Sequence, residues 1–127
     1  MDVAGNTAVG GALSVNGGER WNQVNAGTIT ADQNNWNPTG LSSARILGVA
    51  SDATRNITGI AGGVNGQVLL LVNTRGNPIV LKNQNGGSSA GNRFQCPNSA
   101  DYTLGVGFSV QIYYDGTASV WRLIVES

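Results

Sequence analysis

Residues 87–91, Gly-Ser-Ser-Ala-Gly, match the G-x-S-x-G pattern of serine hydrolases. That pattern supplies a nucleophilic serine when it lies on a strand–turn–helix elbow and has a histidine as its general base. The chain contains no histidine, and the motif lies in a stretch of Gly, Ser and Asn that is typical of a loop. A serine paired with Lys82, the only lysine, is the remaining nucleophilic arrangement. We expect a loop at this position rather than an active site.

Carboxylates are the second group of residues that could do chemistry. Two of them could catalyse glycoside hydrolysis as a pair, and residues 32–37 offer carboxylate and amide oxygens that could bind Ca²⁺. Most of the aspartates occupy turn positions, where Asp bonds the backbone, and residues 32–37 lack both the alternating Asp-x-Asp pattern and a closing Glu. We predict that the protein is not an enzyme and binds no metal and no cofactor. The carboxylates considered are Asp2, Glu19, Asp32, Asp52, Asp101, Asp115 and Glu126.

Charge and hydropathy exclude two classes of partner. Seven Lys and Arg residues balance seven Asp and Glu residues. The chain therefore has no excess of positive charge with which to bind nucleic acid through released counterions. The longest strongly apolar run, residues 68–72, is far too short to cross a bilayer. We therefore predict no nucleic-acid binding and no membrane insertion. A nearly neutral surface suits a protein that packs against copies or other proteins, because repulsion between them is weak.

The pattern of apolar residues predicts strands that would position these side chains. The 19 glycines and the abundant asparagines disfavour helices. Residues 67–73 have a continuous apolar centre, typical of a strand buried on both faces, and residues 78–82 are expected to pair with it as a β-hairpin. Apolar and polar residues alternate along residues 106–115, and an Asp-Gly turn leads to a partner strand at residues 120–125.

Strands with glycine punctuation about every ten residues predict an all-β fold. We expect a single antiparallel β-sandwich or barrel, jelly-roll-like, formed by residues 19–127. Residues 1–18 are Gly-rich and carry few apolar side chains, so we predict an extended N-terminal arm. Val9, Leu13 and Val15 would become buried when this arm lies on another subunit or protein; the alternative is a disordered tail.

The tryptophans differ in their surroundings. Trp121 lies in an apolar run and is expected in the core. Trp36 lies in the polar segment 32–40, where it either folds back to cover a sheet edge or contacts a partner or a sugar. The candidate partner-contact residues are therefore Val9, Leu13, Val15 and Trp36.

Several segments resemble parts of virion proteins of tailed bacteriophages. They are residues 32–41, 56–63, 66–68, 73, 79–82, 90–94, 114–116 and 121–122, and together they extend over roughly residues 28–125. Domains similar to this one occur in small head-decorating proteins and in the tips of tail fibres. The resemblance implies a β-rich homotrimer within the virion.

Two functions follow from this resemblance. The first is a homotrimeric capsid decoration (cement) protein, which would stabilise the head shell and contact the major capsid protein or other virion proteins. The alternative is a tail-fibre or receptor-binding tip domain, which would adsorb to the host surface and contact its glycans. The expected location is the capsid surface in the first case and the tail fibre in the second.

Overall fold

A computed structural model describes residues 20–125 of the chain. In this part the regular elements are β-strands and three short 3-10 turns, at Leu41–Ser43, Ala90–Asn92 and Pro97–Ser99. The strands are β1 Gln23–Ile29, β2 Ile46–Ser51, β3 Arg55–Ile57, β4 Val68–Arg75, β5 Ile79–Leu81, β6 Phe94–Gln95, β7 Tyr102–Leu104, β8 Ser109–Asp115 and β9 Val120–Ile124.

The described strands form two sheets. One has six strands in the order β1-β2-β4-β8-β9-β6, and the other has three in the order β3-β5-β7. The all-β prediction is confirmed, but the expectation of an antiparallel fold is wrong. Strands β1 and β2, β2 and β4, β3 and β5, and β6 and β9 pair in parallel, whereas the other three pairings are antiparallel.

Most of the parallel pairings join residues that lie 22 to 25 positions apart, whereas the partners in β6 and β9 lie 27 apart. Leu47 pairs with Leu71, Ile57 pairs with Leu81, and an isolated bridge joins Trp36 to Ile60; each partner lies 24 residues further along the chain. The chain therefore winds in successive coils that stack strand on strand. This arrangement is solenoid-like, and it replaces the jelly-roll-like sandwich or barrel expected from strand spacing.

The predicted hairpin between residues 67–73 and 78–82 is also wrong, because β4 and β5 belong to different sheets. The chain turns a corner between them instead of reversing. The side-chain amide of Asn73 donates a 2.9 Å hydrogen bond to the Asn77 carbonyl. Gly76 has φ of 99° and packs against the Ser51 carbonyl, where a Cβ would clash. This corner sends β5 to pair with β3, one coil earlier, rather than with β4.

The core lies between the two sheets, and it holds the inward-facing side chains of the stacked coils. Trp121 is fully buried there, as predicted, and its indole N–H donates a 2.9 Å hydrogen bond to the Ile60 carbonyl. Tyr114, its cross-strand partner in the β8–β9 hairpin, contacts it edge to face with ring centroids 5.2 Å apart. This hairpin was predicted from the sequence and is confirmed.

Candidate interaction surface

Strand β4 is apolar on both faces but is fully buried on only one. Leu69 and Leu71 point inward and are completely buried, whereas Val68, Leu70 and Val72 point outward and are half-buried. Within residues 20–125, the prediction that this strand is buried on both faces therefore holds for its inward side alone. The described residues leave the outward side partly uncovered.

The strand register extends this apolar surface across the sheet. Leu70 is directly opposite Ile46 on one side and Gln111 on the other, and Gln111 is opposite Ile124. Residues paired in this way project from the same face of a sheet. Val72 pairs with Ser109, and Val68 pairs with Tyr113, in the neighbouring rows. We call this surface the outer face and define it as Ile46, Val68, Leu70, Val72, Gln111, Tyr113 and Ile124.

Two oppositely charged side chains, Arg122 and Asp115, border the outer face and form an ion pair with each other. Arg122 is opposite Tyr113 on β9 and donates a 2.8 Å hydrogen bond from Nε to the Asp115 carboxylate. This bond holds the pKa of Asp115 below its ordinary value and raises the pKa of Arg122. The outer face therefore offers a partner apolar side chains, one amide and one phenol, but no net charge.

The outer face extends over four neighbouring strands. Strands lie about 5 Å apart and rise about 3.3 Å per residue, so five positions on four strands span roughly 300 Å² of sheet. Ile124, at the margin of the patch, is 49% exposed.

The G-x-S-x-G loop is tied into the interior rather than arranged for catalysis. Ser88 is buried, and its Oγ lies 2.6 Å from Oγ1 of Thr58. The same Oγ accepts a 2.8 Å hydrogen bond from the backbone N–H of Asn35. The Thr58 hydroxyl also lies 2.6 Å from Oδ1 of Asn34. These polar groups join the loop at residues 83–93 to loops that lie earlier in the coil stack.

Lys82, considered above as a partner for the motif serine, is paired with a carboxylate, and the free Cys96 is buried. Lys82 lies 2.7 Å from the Asp101 carboxylate, and the resulting hydrogen bond lowers the pKa of Asp101. Cys96 is buried, and burial raises the pKa of its thiol to about 11. A thiol in this state is a poor nucleophile at neutral pH, since the thiolate is the reactive form.

Oxygen atoms of the segment considered for Ca²⁺ are also engaged in hydrogen bonds within the protein. The Asp32 carboxylate accepts a 2.9 Å bond from the Asn56 backbone N–H. Oδ1 of Asn35 accepts 2.8 Å bonds from the Ser89 backbone and from the Asn92 side chain. In residues 20–125, no three His, Cys, Asp or Glu side chains are grouped so that they could hold a metal ion.

Of the four predicted partner-contact residues, Trp36 alone lies in the part of the chain that the structure describes. Trp36 is 5% exposed and packs in the core of its own domain. This placement favours the alternative in which Trp36 folds back to cover a sheet edge, rather than the one in which it contacts a partner or a sugar. Val9, Leu13 and Val15 lie outside the described residues, so their contact with a partner stays a prediction.

The outer face itself was missed at the sequence level, although residues 68–72 contained a signal for it. An uninterrupted apolar run indicates a strand that is covered on both sides. The residues that the structure describes fully bury only its inward side. The rest of the surface was hidden because Ile46, Gln111 and Ile124 become neighbours of Leu70 only through the register.

Comparisons of the chain with protein-family models, with curated proteins and with solved structures found no match. Between residues 20 and 125 there is no helix with the length and apolar character needed to cross a membrane.

Proposed function

We propose that this chain is a structural protein of a tailed-bacteriophage particle, which works by packing against copies of itself and against other virion proteins. The observation that supports this proposal most is the outer face, a largely apolar surface that residues 20–125 leave partly open. The structural hydrogen bonds of Ser88 and Lys82 and the burial of Cys96 fit a packing role better than a catalytic one.

The role we propose first is that of a homotrimeric capsid decoration protein. In this role the arm at residues 1–18 attaches the trimer to the shell, burying Val9, Leu13 and Val15 against the major capsid protein. Each side chain contributes modestly, at roughly 25 cal/mol per Å² of buried apolar surface. Three arms on one trimer act together, because binding of the first raises the effective concentration of the others.

Labelling of intact particles tests this role directly. An antibody raised against residues 20–125 should bind along the head in electron micrographs, and capsids lacking the protein should bind it when it is added back. Deletion of residues 1–18 should leave a folded domain that no longer binds these capsids. A matched control is the full chain with Thr103, an exposed strand residue, changed to serine; it should bind as the unaltered chain does. Capsids fully decorated by the truncated domain would refute the role of the arm.

A tail-fibre tip is the second candidate, and the asymmetry of the coil stack favours it. The coils that β1, β2 and β4 and that β3 and β5 form in parallel give way to antiparallel pairings at β7 and β8, and β1 is an edge strand whose single neighbour is β2. Because β1 is the first strand that the structure describes, a stem that precedes it would join the coil stack at this edge. In this role the antibody labels the tail tip, and the purified domain binds host cells or their surface glycans. Label on the head and no cell binding would rule it out.

A further inference from the structure

We infer that Asn85 is a modification site of this protein, at which the chain's own backbone converts the side-chain amide into a carboxylate. The described residues contain two Asn-Gly pairs, Asn65-Gly66 and Asn85-Gly86. An asparagine before glycine is prone to lose its amide, because glycine has no side chain to hinder attack by its own backbone nitrogen. The fold holds the reacting atoms of the two pairs differently, and this difference selects Asn85.

The reaction at Asn85 needs water as its only co-reactant. The backbone nitrogen of Gly86 bonds to Cγ of Asn85, while the bond from Cγ to the side-chain nitrogen breaks. That nitrogen leaves as ammonia and takes the proton of the Gly86 N–H with it, so a cyclic succinimide remains. Water then opens the ring, adding its hydroxyl to one of the two carbonyl carbons and its proton to the Gly86 nitrogen. The product is aspartate or isoaspartate, depending on which carbonyl is attacked.

The nucleophile and the electrophile of this reaction are both available at Asn85. Within residues 20–125 the Gly86 N–H has no acceptor, and Gly86 is exposed. Oδ1 of Asn85 accepts a 2.8 Å hydrogen bond from the Gly87 N–H, so the side chain folds forward along the backbone of Gly86. This oxygen gains negative charge when Cγ is attacked, and a donor already fixed beside it lowers the barrier.

Arg93 places a positive charge beside the same turn. A Cβ on Gly86 would lie 4.0 Å from Nη2 of Arg93, and Nε of Arg93 donates a 3.0 Å hydrogen bond to the Ser88 carbonyl. A cation at this position favours loss of the proton from the Gly86 nitrogen, and it also favours the carboxylate of the product.

The fold engages both reacting groups at Asn65. The Gly66 N–H donates a 2.9 Å hydrogen bond to the Tyr114 carbonyl. Oδ1 of Asn65 accepts a 2.9 Å hydrogen bond from the Gly116 N–H, and its side chain packs so closely on Gly116 that a Cβ there would clash. Attack at Asn65 therefore requires a local opening that breaks these contacts first.

Peptide mapping of the folded full chain tests the inference. The protein is kept at mildly alkaline pH, sampled over time and digested with trypsin, which places Asn65 in peptide 56–75 and Asn85 in peptide 83–93. The third Asn-Gly pair, at residues 16–17, lies outside the described residues and falls in a separate peptide. Mass spectrometry measures the fraction of each peptide in which the amide has become a carboxyl group. Asn85 should react about tenfold faster than Asn65, the order expected when a backbone hydrogen bond must first break at Asn65.

Gly86→Ala is the matched variant, because the added Cβ has room and the φ of Gly86 lies outside the left-handed region. It should slow the reaction at Asn85 by about tenfold, since the new methyl group hinders the attacking nitrogen, and it should leave the rate at Asn65 unchanged. Incubation of the unaltered chain in urea should make the two rates nearly equal. Equal rates in the folded chain, a faster reaction at Asn65, or a difference that persists in urea would overturn the inference.

Discussion

Thr58 shows how single polar residues hold the loops of this molecule in place. Its hydroxyl is buried between Oδ1 of Asn34 and Oγ of Ser88, at 2.6 Å from each. The sequence shows that both loops are polar, and turn preferences explain that composition. It does not show that the loops bond to each other. Thr58 lies 24 residues from Asn34 and 30 from Ser88 along the chain, so these side chains meet only when the coils stack.

Replacing Thr58 by valine tests this polar link. The side chain keeps nearly the same shape but loses the hydroxyl, which removes the contacts to Oδ1 of Asn34 and to the buried Oγ of Ser88, while Ser88 keeps its bond from the Asn35 backbone N–H. We expect the free energy of unfolding to fall by about 1–3 kcal/mol. Urea unfolding followed by circular dichroism measures the change, and exposed Thr103→Val is the control, with an expected effect within about 0.5 kcal/mol. Equal effects of the two substitutions would contradict a structural role for the Thr58 hydroxyl.

At the scale of elements, the sequence predicted where strands lie better than how they pair. Apolar runs and alternation located β4 and β8, and an Asp-Gly turn correctly joined β8 to β9, because a hairpin is a local structure. The pairing of β2 with β4 is not local, since a coil of 24 residues separates the partners Leu47 and Leu71. A short turn after β4 favoured a hairpin, but the Asn73 and Gly76 contacts make that turn a corner. The outer face could not be predicted for the same reason, because it exists only once this register is set.

Trp121 joins β9 to the earlier coils, so its substitution tests how firmly the closing hairpin supports them. Trp121→Phe removes the donor to the Ile60 carbonyl and leaves a void in the core. We expect a loss of about 2–4 kcal/mol in the free energy of unfolding. Trp21→Phe is the same chemical change at a ring that is 47% exposed and lies 4.5 Å from the Arg45 guanidinium.

The Trp21→Phe control should change stability by no more than about 0.5 kcal/mol. Because both variants lose a fluorophore, unfolding is followed by far-ultraviolet circular dichroism rather than by fluorescence. A Trp121→Phe variant as stable as this control would mean that the β8–β9 hairpin docks without the indole hydrogen bond.

At the scale of the whole molecule, six charged side chains of this chain of zero net charge form three ion pairs within residues 20–125. Arg55, Lys82 and Arg122 hydrogen-bond to Asp52, Asp101 and Asp115, and these bonds hold the pKa of each of the three carboxyls below its ordinary value. The pairs are solvent-accessible and screened, so none of them alone determines stability. All three pairs nevertheless need an ionised carboxylate, so acidification should lower the free energy of unfolding.

We expect stability to be constant between about pH 5 and 7, because the chain has no histidine to titrate there. A carboxyl with a lowered folded-state pKa contributes stability above its unfolded-state pKa of about 4, and that contribution is lost as the pH falls through the folded-state value. The urea midpoint should therefore decrease progressively below about pH 4. The triple variant Asp52→Asn, Asp101→Asn, Asp115→Asn should be less stable at pH 7 but should show a smaller acid decrease. If the triple variant lost as much stability on acidification as the unaltered chain, the three ion pairs would not be the source of the acid decrease, and carboxyls outside them would have to be.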